Sequence, residues 1–353
     1  MLTIISFVIL LCVIVVIHEF GHLIAAKIFN VYCHEFSIGM GKLLWSKKWK
    51  ETTYAIRLLP IGGFVAMAGD NENSLETSVD VEVPYERTLN GISKWKKIVI
   101  MLAGAFMNFI LAWVIVTGII FSAGSYYLPQ EAVVGGVAEG TPAEVAGFEE
   151  GDQIISIEFE DGNIIYPETY NDILVYTQTD DGPFLYTVQR DDSLLEIEVT
   201  PVFIDEYGVY QVGIMLPEAV EVKTTLISSF NFATDYLISN TKLIFSAFAD
   251  LFIEANTDNL SGPVGIYQTT SQAVSMGFST FMLLVALLSL NVGIFNLLPL
   301  PILDGGRVAI TFFELILGKK INSRLESAIM VGSMLLLLGL MLMATYQDIL
   351  RLF

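Results

Sequence analysis

His18, Glu19 and His22 stand in the order His-Glu-x-x-His inside the stretch VIHEFGHLIA, and the residues before them, MLTIISFVILLCVIVV, carry no charge. On a helix the i, i+4 spacing puts both imidazoles on one face with the glutamate beside them. Two neutral imidazoles are part of a ligand set for Zn²⁺, which takes four ligands and in catalytic sites keeps one position open for water. Zinc lowers the pKa of such a water from 15.7 to about 7. Glu19 is then placed to take its proton as it attacks a carbonyl, and to deliver that proton to the departing amine. An unpaired ionisable group in a bilayer costs roughly 2.5–3.5 kcal/mol or more, so three of them in an apolar helix need a purpose that offsets the cost. The chain has only three histidines; the third, His34, is read as an ordinary polar contact.

A metal held by two histidines needs a third protein ligand, and depth in the membrane points to one. Of the 353 residues 54% are hydrophobic, and four long apolar segments read as membrane spans, at about 2–26, 98–122, 279–303 and 327–344. The formal charge of −20 is unevenly spread. Residues 27–97 hold 10 of the 18 Lys and Arg and residues 307–324 hold 4, while 125–278 hold 3 against 25 acidic residues. Short loops rich in Lys and Arg stay in the cytoplasm, which puts 27–97 and 307–324 inside, 125–278 outside and both termini outside. HEFGH and the end of the third span, NLLPLPILDGGR, then lie at one depth. Asp304 is the carboxylate there. Pro299 and Pro301 break the helix and Gly305-Gly306 lets the backbone turn closely, an irregularity tolerated at membrane depth only where protein or a wet cavity covers it.

The elements that must position these groups are legible in outline. The first span lacks the basic start and small-residue cleavage site of a signal peptide and is read as retained. Residues 34–69 alternate in short bursts, and Pro60, Gly62 and Gly63 punctuate them, which predicts β-hairpins lying against or dipping into the inner membrane face. Residues 70–92 read as an irregular loop, and Lys94, Lys96 and Lys97 as an interfacial anchor. In the acidic segment, TPAE predicts a capping box with Thr141 as N-cap, Pro142 at the first helical position and Glu144 three residues on, stopped by Gly147. Asp161-Gly162 predicts a turn, and FLYTVQR and LLEIEVTP a hairpin around Asp191-Asp192. The order strand, short helix, GD, strand resembles a PDZ domain of the kind attached to bacterial proteases, a module that binds extended peptides by strand addition, often through a C-terminal carboxylate. Residues 222–256 are apolar but interrupted by Asp235, Lys242 and Asp250, which predicts interfacial helices; SGPVGI at 261–266 reads as a turn. Cys12 and Cys33 lie in and just inside the first span, so no disulfide framework follows.

Taken together, HEFGH, LPIGGFVAMAG, GAFMN, the outer PDZ-like segment, SGPVGI and NLLPLPILDGG resemble the site-2 protease family of intramembrane zinc metalloproteases, in the branch of the bacterial regulator-of-sigma-E protease. The resemblance covers nearly the whole chain. It implies a multi-pass α-helical membrane protein of four transmembrane helices, with membrane-associated β-hairpins and one extracytoplasmic PDZ domain. The expected divisions are a membrane core at 1–124, the PDZ domain at 125–217, an amphipathic segment at 218–278 and a second membrane core at 279–353. It further implies His18, His22 and Asp304 as zinc ligands, Glu19 as catalytic base, Asn108 near the active site and Asn296 helping to position substrate. Gly62, Gly63, Phe64 and Val65 fall on a strand edge where an unwound substrate can pair, because a helical peptide bond hides its carbonyl in the i to i−4 ladder. The expected partners are single-span membrane proteins, such as pre-cut anti-sigma factors or remnant signal peptides, with membrane lipid, and a peptide C-terminus at the PDZ domain.

Other function classes fit less well. The strongly acidic balance argues against nucleic acid. A non-catalytic membrane scaffold presenting a PDZ domain has no use for Glu19 beside both histidines. A transporter relay needs ionisable groups strung across the membrane, and here they sit at one depth.

Overall fold

The computed structural model describes residues 2–70, 82–178, 180–204, 208–253, 261–319 and 322–351. The chain begins with α1 (Leu2–Ile28), β1 (Cys33–Trp49), β2 (Thr52–Met67) and α2 (Lys94–Ala123). There follow β3 (Ser125–Tyr127), β4 (Gly136–Val137), α3 (Pro142–Ala146), β5 (Gln153–Glu158), β6 (Ile164–Ile165), α4 (Tyr170–Thr177), β7 (Phe184–Arg190) and β8 (Ser193–Val199). After β9 (Val202–Ile204), β10 (Val209–Gln211), β11 (Ile214–Met215) and β12 (Glu221–Lys223), the chain ends in α5 (Leu226–Ile253), α6 (Pro263–Met276), α7 (Phe278–Asn296), α8 (Asp304–Leu317) and α9 (Ser323–Leu350). Two compact units result: Met1–Ser122 with Thr225–Phe353, and Ala123–Thr224.

Among the described residues of the first unit four helices are long and apolar enough to cross a membrane: Leu2–Ile28, Lys94–Ala123, Phe278–Asn296 and Ser327–Leu350. The third is shorter than the sequence predicts. Its helix ends at Asn296 because the Leu297 and Leu298 N–H groups tighten onto the carbonyls of Ile294 and Phe295, both at 3.0 Å. Pro299 and Pro301 then have no N–H to continue the ladder and disfavour helical backbone before them. The chain re-enters a helix at Asp304. Leu10 and Ile14 of α1 pack on Val285 of α7 to form one core cluster. A second, with Leu23 and Ala26 of α1, Phe36 of β1, Val65 and Met67 of β2, and Ile100 and Met101 of α2, fixes the far end of α1 against both hairpin and helix.

Residues 33–67 form one irregular two-element sheet rather than separate hairpins, because β1 is used twice. Its first half, around Phe36, pairs with Val65 on one side and Tyr54 on the other; its second half, from Leu43 to Trp49, pairs with Arg57 down to Thr52. Residues 63–67 therefore pair with 33–38 only, and among the described residues no second strand runs along their other side. Of the predicted loop at 70–92, residues 71–81 lie outside the described residues, and Tyr85–Arg87 form a single 3₁₀ turn.

Residues 226–253 fold as one continuous helix, α5, whose Thr234 accepts a hydrogen bond from Trp113 Nε1 at 3.0 Å and whose Phe230 ring meets the Trp113 ring edge-on. Trp113 lies midway along α2, so α5 packs on one of the long apolar helices. A buried indole N–H needs an acceptor, and Thr234 supplies it. SGPVGI begins a helix, α6, with Pro263 in its first turn. Its amide at Gly265 donates to the buried Asp348 carboxylate of α9 at 2.7 Å. An anion beside a helix N-terminus is stabilised by the unpaired N–H groups there, and only the folded chain brings these two residues together.

In the second unit a four-stranded sheet ordered β6-β5-β7-β8 packs Phe184, Tyr186 and Val188 against Phe148 and Tyr170. The β7–β8 hairpin turns at Asp191 in the left-handed region. The capping box expected at Thr141 does not form: Thr141 Oγ1 donates to the Ala138 carbonyl at 2.6 Å, and Glu144 accepts from Gly140 N–H at 2.6 Å. Gly147 does stop α3, with φ of 89°. The capping box lies instead on α4, where Thr169 and Asp172 each accept the other's backbone N–H. The unit extends beyond residue 217, because β12 pairs with β3 and closes its two chain ends together.

Candidate metal centre

The i, i+4 spacing on α1 sets the His18 and His22 rings edge to face, with their Nε2 atoms 3.2 Å apart. The break after α7 and the restart of the chain at α8 carry Asp304 to them: Oδ2 lies 3.0 Å from His18 Nε2 and 3.2 Å from His22 Nε2. Gly305 and Gly306 make this possible, since a Cβ on either would run into the backbone of Leu297–Pro301. The three donors form a nearly equilateral triangle. Ligands at 2.0–2.1 Å from a tetrahedral zinc stand about 3.3 Å from one another, so the triangle fits one face of such a site. The donor chemistry fits as well, since Asp304 Oδ2 is buried and accepts no well-aligned hydrogen bond.

Groups behind the donors set their orientation. His22 Nδ1 lies 2.8 Å from the Ile100 carbonyl, which holds its proton on that nitrogen and leaves the Nε2 lone pair for a metal. His18 Nδ1 faces the Asn108 amide nitrogen at 3.3 Å, and the Asn108 Oδ1 is buried without a partner. A half-turn of that amide brings Oδ1 to His18 Nδ1, so that His18 donates there and frees its Nε2, and the same turn satisfies the orphaned oxygen. Ser289 of α7 fixes the Asn108 backbone through a 2.9 Å hydrogen bond to its carbonyl. Partners of this kind are worth 10–100-fold in metal affinity. Asn108→Ala should weaken zinc binding by about 30-fold, read by competition with a chelating dye, with the fold unchanged. Unaltered affinity would remove Asn108 from the support of His18.

Glu19 faces the same cavity of about 460 Å³, which is lined by the three donors and by Gly63, Phe64, Val65 and Asn296. The Val65 backbone is hydrogen-bonded to the Glu19 carboxylate, joining strand 63–67 to the helix that carries the motif. Asn108 and Gly62 do not line this cavity; Asn108 is fully buried behind His18, and Gly62 sits against Met40. His34 contacts the Tyr32 ring. Three participants escaped the sequence reading. Gly104 of α2 lies so close to both imidazoles that a Cβ there would be 2.5 Å from His22 Nε2 and 2.7 Å from His18 Cε1. Asp70 and Arg307 line the cavity and pair at 2.7 Å. The signals were present, a glycine four residues before Asn108 and single charges ending AMAGD and LDGGR, but nothing in the order of residues says that they meet.

A core of long apolar helices that gathers two histidines, a glutamate and a distant aspartate around one cavity defines the class of membrane metalloproteases. The chain belongs to peptidase family M50, whose profile matches residues 6–340, and it is a zinc metalloendopeptidase of the site-2 protease type. It is 31% identical to the regulator of sigma-W protease RasP of Bacillus subtilis, over 99% of both chains. It is 30% identical to the zinc metalloprotease RasP of Shouchella clausii, again over 99% of both. A Clostridium perfringens protein named as a candidate zinc metalloprotease is 36% identical over 95% of both chains.

Proposed function

We propose that this chain cuts peptide bonds within the transmembrane segments of single-span membrane proteins, with His18, His22 and Asp304 holding the zinc ion and Glu19 moving the proton. The observation that carries the proposal is the convergence of Asp304 on the two imidazoles, 3.0 and 3.2 Å away, beside Glu19 in one cavity. Held by these three residues, a zinc ion would supply Lewis acidity to a water and to the scissile carbonyl. Glu19 takes a proton from the attacking water and passes it to the leaving amine. The substrate must unwind first, and strand 63–67, on the cavity that Asn296 also lines, offers its backbone to the unwound stretch by strand addition.

Charge supports an orientation with residues 27–97 and 307–324 in the cytoplasm and the acidic second unit outside. That unit, the PDZ-like module, acts as a size filter that keeps bulky ectodomains from the cavity. A detail of β11 favours a filter over a peptide receptor. Carbonyls of Gly213 and Met215 accept from Ala138 and Gly135, which flank β4, so that of Ile214 points the other way, and there it accepts from Tyr170 Oη at 2.6 Å. The carbonyl an incoming peptide would need there is already taken by a side chain of the domain itself. Deleting 130–201 should therefore allow premature cutting of substrate that has not been shortened, whereas loss of a receptor would abolish cutting. The name of the B. subtilis relative supports anti-sigma factors as one substrate class here; remnant signal peptides are a second.

The test uses purified full-length protein in liposomes with a single-span reporter. Mass spectrometry should place the cut inside the span, a chelator should remove activity, and added zinc should restore it. A reporter left intact by zinc-loaded protein, or cut only outside its span, would overturn the reading.

A further inference from the structure

Asp70 and Arg307 take no part in holding the metal, yet both face the cavity that does. Asp70 lies three residues beyond the end of the edge strand at Met67. Its N–H closes a turn on the Met67 carbonyl at 3.1 Å, and its side chain is 1% exposed. Arg307 lies on the first turn of α8, three residues after Asp304, with its own N–H bonded to the Leu303 carbonyl. The guanidinium donates to Asp70 Oδ1 at 2.7 Å, and its other nitrogen lies 3.9 Å from Met101 Sδ of α2. One ion pair thus ties the end of the strand to the start of the helix that bears Asp304, over a side chain of a third element.

We infer that the Asp70–Arg307 pair sets the register of cleavage by fixing strand 63–67 relative to the Asp304 helix. The inference rests on the proposed function, in which the strand holds the unwound substrate. A strand-paired substrate presents one residue about every 3.3 Å, so the distance between strand and metal decides which bond is cut. A slip of one residue turns every side chain to the opposite face, and a slip of two restores the facing. A loosened strand therefore samples registers two residues apart. The pair suits this task because a guanidinium fork is directional, and because a carboxylate this buried holds its place only with a charged partner. Both are positioning residues.

The experiment compares full-length wild type, Asp70→Asn, Arg307→Gln and the double variant on the liposome reporter, reading kcat, KM, bound zinc and the product ends by mass spectrometry. Wild type should give one dominant cut. Each single variant should keep about one zinc per chain, lose about 10–30-fold in kcat with KM within threefold, and add cuts two residues from the main site. The double variant should be no worse than the poorer single one, as expected of two residues acting through one contact. Additive losses, an unchanged single cut, or loss of zinc in the single variants would overturn the assignment while wild-type cleavage left the proposed function standing. An inactive wild type would overturn both.

Discussion

Glu19→Gln should abolish cleavage of a single-span reporter, by about 10³-fold or more, while the protein keeps its zinc. General acid–base groups contribute 10²–10⁴-fold, and this one serves twice, at attack and at departure of the amine. The amide has nearly the same size and still fits beside Gly63 and Val65, but cannot take up the proton. The three donors are untouched, since Glu19 is not one of them. A thousandfold loss corresponds to about 4 kcal/mol of transition-state stabilisation. The measurement pairs single-turnover cleavage with metal content of the same preparation. Activity within tenfold of wild type would assign the proton transfers elsewhere, and loss of zinc would make Glu19 a ligand.

Gly104→Ala should remove zinc and activity together, a larger effect than its single methyl implies. The methyl carbon would stand 2.5 Å from His22 Nε2 and 2.8 Å from His18 Nε2, well inside contact distance. Neither ring can retreat freely: His22 is held by Ile100 and buried, and His18 backs onto Asn108. The donors must spread, and metal affinity should fall about 100-fold. Alanine is the better helix former by about 1 kcal/mol, so unravelling of α2 is not the cause. Gly118 of the same helix supplies the control, since a Cβ there meets nothing within 4 Å. Gly118→Ala should bind zinc and cut normally. Equal behaviour of the two alanine variants would show that the helices move apart at little cost.

Much of this was open to a reader of the sequence. The HExxH spacing names its own chemistry, because helical geometry alone decides which side chains share a face. The four apolar segments appear as helices because a chain in hydrocarbon must pair its own backbone groups. Charge bias predicts two span ends at one level, which is why the sequence points to Asp304, and the fold brings its carboxylate within 3.2 Å of both imidazoles. Elements governed by partners were less legible. α5 carries charges that suggest a surface helix, and only the fold shows that Trp113 of α2 is its hydrogen-bond partner. The capping box expected at Thr141 gave way to bonds with Ala138 and Gly140.

The sequence by itself determined the kind of chemistry, the apolar helices and the candidate metal donors, all matters of spacing, composition and expected depth. Only the tertiary structure decided that Gly104 must lack a side chain, that Asn108 stands behind His18 and away from the cavity, and that Asp70 meets Arg307. The reason is one of range. Periodicity and hydropathy act within a helix or a hairpin, whereas a contact between residues 237 positions apart depends on how several elements pack at once, and the order of residues along any one element carries no trace of it.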